Sequence, residues 1–597
     1  MSFSPQPLLN FFPTGVTPRP AQLDVLDFIE RSVLAGERNI IIQAPTGVGK
    51  SYIAKAVCDW ASSSYICTST KQLQDQYLSD FRSLTTVKGR SNFQCLHCAD
   101  SSFSSCDEGT CTYKVEYKCP FGLTTDITDR FAAESASKGS LYWRTSEHCC
   151  YYENKVDGMN ADTTVQNYTY MLYEHFGPRD FFSRSVIIFD ECHNIEKELL
   201  NFLCLNLSSK SIALVNSFLS ELNSAPIEFV AFKTVKGSDG NIATNSNKNS
   251  YWIDFLNGLQ EQLQAILSRS ANSEDRKKDY KQIQSLFIKV QTVLTLSQDS
   301  VDNWAIDERE DCTHNLLSVL FKPVIVCSYV EKCLCRMGDV RIFMSATILD
   351  PAYYAETLGL SSYVYKEIPP VFTPAQNKLY SLRFADFSYS KLKQLNASEK
   401  ENFFKQVVQK IDSILEQHIN EKGLIHCGTY ELQDYIRTYS KYSTRLIFPN
   451  AVDKVYMLAA HKTLSNSVVC SPSITEGVDF KNDLSRFQVI VKLPYLDLSD
   501  LQIKERMKID PDFYPYNTAK TLIQELGRSV RNENDWCVSY ILDSRFDNFC
   551  ATHPALTKLI TRHLCKKAAL PTSLKVVRRR HFVSKKGLNK ASKFVCS

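Results

Sequence analysis

No run of eighteen apolar residues occurs in this chain, so no stretch of it is long enough to cross a bilayer as a helix. The opening MSFSPQPLLNFF has neither a basic n-region nor an apolar h-region, which leaves no secretory signature. Internal repeats are missing too, excluding solenoids and propellers, and only VKGSDGNIATNSNKNS reads as a flexible low-complexity loop. These absences predict a soluble, cytoplasmic protein without a membrane partner. In a reducing compartment the 21 cysteines are not a disulfide framework. Where cysteines cluster they point to metal.

A chain of 597 residues is too long for one core and implies three or four domains. The net charge of +4 conceals an uneven distribution: residues 566–597 hold ten Lys or Arg and no Asp or Glu, leaving about −6 for the rest. Such a basic tail is attracted to polyphosphate.

The segment RPAQLDVLDFIERSVLAGERNIIIQAPTGVGKS contains a helical repeat of Leu23, Leu26, Ile29 and Val33, then a buried strand from 39 to 43, then a loop that opens a second helix. Ala44, Pro45, Thr46, Gly47, Val48 and Gly49 form a loop whose backbone N–H groups suit phosphates, Lys50 suits the β and γ phosphates, and the Ser51 hydroxyl suits Mg2+. Ala44 stands where the general pattern has glycine. SVIIFDECHN is an apolar strand ending in Asp190 and Glu191, at the carboxyl edge where parallel sheets bind ligands. Asp190 suits Mg2+, and Glu191 suits a water to be oriented and deprotonated.

Farther on, GLIHCG, SVVCSPS, RFQVIVKLP and CVSYILDS read as short strands among helices such as 430–442 and 517–530, implying a second parallel sheet. Between 193 and 321 the pattern changes to charged helices, with Ile283, Phe287, Val290 and Leu294 spaced four, three and four apart. That stretch reads as a helical insertion.

In order, STKQLQDQY, FMSATI, ITEGVDF and QELGRSVR complete a set that resembles a superfamily-two helicase, and GRSNFQC with CCYYENKV narrows the resemblance to the iron–sulfur helicases of the XPD/DinG family. The resemblance implies two RecA-like motor domains, α/β with parallel sheets and flanking helices, interrupted by an iron–sulfur domain and a helical arch. The expected extents are 1–90, 151–196 and 316–369 for motor domain one, 91–150 for the iron–sulfur domain, 197–315 for the arch, 370–565 for motor domain two and 566–597 for the tail. It further implies that Gln22 reads adenine, that Asp479 belongs to the nucleotide site, and that Gln524, Arg528 and Arg531 reach the γ-phosphate from motor domain two. Thr70, Gln72 and Tyr168 are implied contacts to single-stranded DNA.

Between Cys95 and Cys150 lie Cys95, Cys98, Cys106, Cys111, Cys119, Cys149 and Cys150, whereas a cubane cluster takes four thiolates. The family pattern favours Cys95 and Cys149 as the first and last ligands of a 4Fe-4S cluster, with Cys150 as the alternative to Cys149; for the middle pair DEGTC and YKCP give Cys111 and Cys119, with Cys98 and Cys106 close by as alternatives. Zinc is the rival, since Cys95, His97 and Cys98 have zinc-like spacing.

The implied activity is an ATP- and Mg2+-dependent DNA helicase, acting as a monomer on single-stranded, duplex or forked DNA with 5′-to-3′ polarity. Its setting would be a bacterial or phage-infected cytoplasm, or a nucleus in a eukaryote. Two alternatives stand beside it: a nucleic-acid-stimulated ATPase that remodels RNA or protein–DNA complexes, and a zinc-stabilised nucleic-acid-binding module with an ATP switch.

Overall fold

A computed structural model describes residues 3–565 except 46, 98–104, 113–117, 127, 129, 131–135, 137–140, 177–178, 233–244, 270–275, 299, 314, 370–372, 451–452, 473–479 and 531–533. The predicted contacts Thr46, Asp479 and Arg531, the alternative ligand Cys98 and the basic tail lie outside the described residues.

The strands Asn39–Gln43, Ser64–Thr68 and Arg184–Asp190 are buried at every position. Their sequences run NIIIQ, SYICT and RSVIIFD without strict alternation, because helices cover both faces of the sheet. They belong to a seven-stranded sheet. Its order is Val364–Glu367, Asn39–Gln43, Gly338–Ser345, Arg184–Asp190, Ser64–Thr68, Thr163–Asn167, Thr85–Thr86, and every pairing is parallel.

A second sheet of six strands is also wholly parallel, ordered Asn377–Ala385, Cys537–Asp543, Phe487–Ile490, Gly423–His426, Val468–Ser471, Leu446–Ile447. The helix Ala397–Gln417 packs on it through Phe404, Val407, Ile411 and Leu415, and a reciprocal Asn396–Glu399 cap fixes its start. Two doubly covered parallel sheets are the α/β architecture expected from the sequence.

The insertion contains more than helices. Asn245–Arg269 and Lys277–Ser297 form the expected pair, with Ile283 and Val290 fully buried. Beside them Leu205–Ser208, Leu316–Pro323 and Trp304–Glu310 make an antiparallel three-stranded sheet. Trp304, Ala305, Ile306, Val319 and Phe321 are buried, Glu308 turns inward to accept from the Trp252 indole at 2.6 Å, and Arg309 and Glu310 are exposed, so a buried strand is hidden in a charge-rich sequence. The helix Leu501–Ile509 crosses from the second module to the first: Gln502 donates to the Val324 carbonyl at 3.1 Å, and Arg506 lies 3.8 Å from Glu196 and 3.0 Å from Asp510. Among the described residues no helix is long and apolar enough to cross a membrane.

Candidate functional site

The helix Lys50–Trp60 starts directly from a loop in which Gly47 and Gly49 have φ of +86° and +88°. At Gly49 a side chain is barred twice over, since a Cβ there would also lie 2.5 Å from Gln22 Nε2. Gln22 is buried, donates to the Gly49 carbonyl at 3.3 Å and accepts from the Arg19 backbone N–H at 2.8 Å. Arg19 in turn donates to the Gly47 carbonyl. The glutamine thus ties the first helix to the phosphate loop. Arg19 was not singled out in the sequence, although it begins the same RPAQ quartet.

Behind the loop, Lys50 Nζ lies 3.2 Å from Glu191. Glu191 has φ +50°, a left-handed turn that ends the strand and swings its side chain toward the lysine. Asp190 is buried: one carboxylate oxygen accepts from Tyr77 at 3.0 Å and the other from the Glu191 N–H at 3.0 Å. Burial, then the neighbouring Glu191 charge, pushes the Asp190 carboxyl up to about 6. Tyr77 closes the STKQLQDQY motif, so its place was visible in the sequence but its role was not.

A polar chain leads from Glu191 to the other module. His193 Nδ1 is 3.4 Å from Glu191 and 2.7 Å from Ser345 Oγ, which accepts the Thr347 N–H at 3.1 Å. Gln524 of the second module donates to Thr347 Oγ1 at 3.2 Å, and Lys520, one helical turn earlier, reaches the His193 carbonyl at 3.4 Å. The intervening cleft is about 820 Å³, lined from one side by Gln22, Lys50 and Glu191 and from the other by Gln524 and Arg528. Pro45 and Ser51 also face it, whereas Ala44 and Val48 are buried in the sheet below.

Two buried groups flank Arg528 in the second module. Burial pushes the Glu525 carboxyl up to about 8, and burial with the Arg528 charge pushes His426 down to about 4. His426 Nδ1 and Glu525 Oε1 are 3.9 Å apart, beyond hydrogen-bond length.

The residues expected to touch a nucleic acid divide. Thr70 caps the helix Lys71–Asp80, accepting from the Leu73 N–H at 3.3 Å. Gln72 is exposed at the cleft. Tyr168 is corrected to a core residue: only 1% is exposed, its ring stacks on Phe189 with centroids 6.2 Å apart, and its hydroxyl donates to the Asp190 carbonyl at 2.9 Å. No face of that ring is left for a base. Tyr151 and Tyr170 are buried as well.

Five described cysteines share one neighbourhood. A Cβ built on Gly109 would meet Cys95 Sγ at 3.1 Å and Cys111 Sγ at 3.7 Å. Cys111 pairs with Cys119 through a thiol hydrogen bond, and Cys106 Sγ lies 3.6 Å from Cys149 Sγ. These contacts draw the Cys111 and Cys149 thiols down to about 6 and push Cys119 and Cys106 up. The Arg90 guanidinium, 4.4 Å over the Tyr151 ring, reaches Cys111 Sγ at 3.5 Å and Cys106 Sγ at 3.8 Å. Cys150 is exposed. Among the described residues no three His, Cys, Asp or Glu side chains are arranged to hold a metal ion. The donor set and the space kept open by Gly109 nonetheless suit a thiolate-bound group. Lys281 of the insertion binds the Asp107 carboxylate at 2.8 Å, joining the helical insertion to this neighbourhood.

Residues 15–221 match the family described as type III restriction enzyme, res subunit, and residues 379–562 match the helicase C-terminal domain. The chain is 21% identical to ATP-dependent DNA helicase YoaA of Escherichia coli strain K12, over 91% of this chain and 94% of that protein. It is likewise 21% identical to the YoaA of Haemophilus influenzae, over 89% and 91%. Among solved structures it is similar to an XPD helicase, with a TM-score of 0.58 at 16% identity over 91% of this chain and 99% of that one. The S. tokodaii Xpd4 structure has a TM-score of 0.56 at 15% identity, covering 92% and 100%. At such identities the structural likeness speaks for the fold.

Proposed function

We propose that this chain, an XPD/DinG-like superfamily-two helicase, hydrolyses ATP to move along single-stranded DNA and separate duplexes. The observation that carries the reading is the hydrogen bond from Gln524 to Thr347, which leads from one module through Ser345 and His193 to Glu191 of the other. The likeness to YoaA over nearly its whole length supports the same substrate.

In this reading Lys50 exchanges Glu191 for the terminal phosphates. Its charge compensates them, and the released Glu191 orients the attacking water and takes its proton. Ser51 and Asp190 would hold Mg2+, which supplies charge neutralisation at the phosphates. Gln22 reads the adenine, and Asp479 completes the nucleotide site. Gln524, Arg528 and Arg531 bring donors from the second module to charge that develops in the transition state, so hydrolysis depends on closure of the cleft. Thr70 and Gln72 contact the strand that is moved.

A 4Fe-4S cluster on Cys95, Cys111, Cys119 and Cys149 would fold the segment between the first two motor motifs, where few aliphatic residues are available for a core. The extents given above, corrected so that the insertion runs through the strand Leu316–Pro323 that completes its sheet, together with action as a monomer, a forked duplex as substrate and 5′-to-3′ movement, complete the proposal. Strand displacement on duplexes with a 5′ or a 3′ overhang tests it, with ATPase measured in parallel. Displacement confined to the 5′ overhang is expected. DNA-stimulated hydrolysis with no displacement on either substrate would favour a remodelling ATPase instead.

A further inference from the structure

Four thiolates complete a cubane cluster, yet five described cysteines converge around Gly109 and Arg90. The fifth is Cys106. It is 1% exposed, and its sulfur lies 3.6 Å from that of Cys149. Resting on the cluster reading above, we propose that Cys106 is a reserve thiol outside the ligand set, which captures Cys149 as a disulfide when a hydroperoxide has destroyed the cluster.

The two sulfurs are presented from separate frames. Cys106 opens the short turn Cys106–Glu108, its N–H bonded to the Phe93 carbonyl at 2.6 Å, and the next residue, Asp107, is held by Lys281. Cys149 precedes the helix Cys150–Asn160, its N–H bonded to the Phe121 carbonyl at 2.9 Å. The pair packs with Tyr151 against Phe93 and Phe121, a small aromatic core that keeps the two sulfurs together. A disulfide is about 2.05 Å long, so about 1.5 Å of further approach completes it. Cys111 pairs with Cys119, while Cys106 Sγ and Cys149 Sγ face each other directly.

The chemistry balances with one peroxide. The Cys149 thiolate attacks a peroxide oxygen, the O–O bond breaks, and Cys149 sulfenic acid and hydroxide result. The Cys106 thiolate then attacks the sulfenic sulfur, the S–S bond forms, and the S–O bond breaks with departure of water once the oxygen is protonated. Two thiols and one hydrogen peroxide become one disulfide and two waters, with two electrons passing from sulfur to oxygen. Without Cys106 the sulfenic acid is open to irreversible oxidation.

The test uses full-length wild type and Cys106→Ser, both purified anaerobically. Iron and acid-labile sulfide are measured, hydrogen peroxide is added, and cysteine states are read by non-reducing peptide mapping. The variant should hold as much iron and sulfide as wild type. Peroxide should yield a Cys106–Cys149 linked peptide in wild type and sulfinic or sulfonic Cys149 in the variant. After reduction and reconstitution the variant should regain at least about twofold less iron. Loss of iron and sulfide from a folded Cys106→Ser would make Cys106 a ligand and overturn the proposal. So would an iron-loaded wild type whose peroxide map lacks the link, a result that needs no variant. Stoichiometric zinc without sulfide in wild type would overturn the cluster reading, and the proposal with it.

Discussion

The Gln524 side-chain amide donates to Thr347 Oγ1 at 3.2 Å, and through Ser345 and His193 this contact leads to Glu191. It joins two sheets that share no strand. Removing it with Thr347→Val should leave ATP affinity nearly unchanged and lower DNA-stimulated turnover by about 10-fold or more, since the contact matters when the cleft closes. Steady-state ATPase with and without single-stranded DNA is the measurement, and undiminished stimulation would remove this path from the mechanism.

Lys50→Ala removes the cation that faces Glu191 and, in the proposed mechanism, compensates the phosphates. Turnover should fall by at least about 100-fold, the scale seen when one donor to developing charge is lost. Glu191→Gln should also halt turnover while still binding nucleotide, because the lysine keeps its phosphate role. Equilibrium binding of a fluorescent ATP analogue separates the two variants.

The buried Glu525 makes stability depend on pH. Its carboxyl is raised to about 8 in the fold from an ordinary 4.5, so the folded state binds more protons than the unfolded state between those values. Stability therefore falls as pH rises from about 4.5 to about 8. His426, pushed down to about 4 by burial and Arg528, acts oppositely between about 4 and 6.5, leaving Glu525 to dominate above that. Glu525→Gln should flatten the fall of melting temperature between pH 6.5 and 8. Parallel melting curves for the two proteins would show that this carboxyl is not the source.

Tyr168 tests the division between core and DNA contact. Tyr168→Phe removes the hydrogen bond to Asp190 and should cost about 1 kcal/mol of stability. Tyr168→Ala should cost about 3–5 kcal/mol by emptying the stack on Phe189. Single-strand affinity measured on the folded Phe variant should match wild type, and a clear loss there would return the tyrosine to the DNA track.

Local chemistry was legible in the chain itself. The phosphate loop, the Asp190–Glu191 strand end and the apolar strands of both sheets each lie within a dozen residues, and short-range rules of periodicity and turn geometry reveal them. The tertiary structure decided what depends on distant partners. Trp304–Glu310 is a strand because Leu316–Pro323 pairs with it and a helix covers one face, although its charges resemble a helical surface. Tyr168 looks like a stacking aromatic in sequence and is core in space, since burial is set by the Phe189 strand it packs on. Arg19, His193 and Lys520 join the site through contacts across 28, 152 and 327 positions. The same holds for the thiols: their clustering between residues 95 and 150 is a matter of sequence, but which sulfur faces which follows from folded loops and from a lysine of the helical insertion 174 positions beyond Asp107.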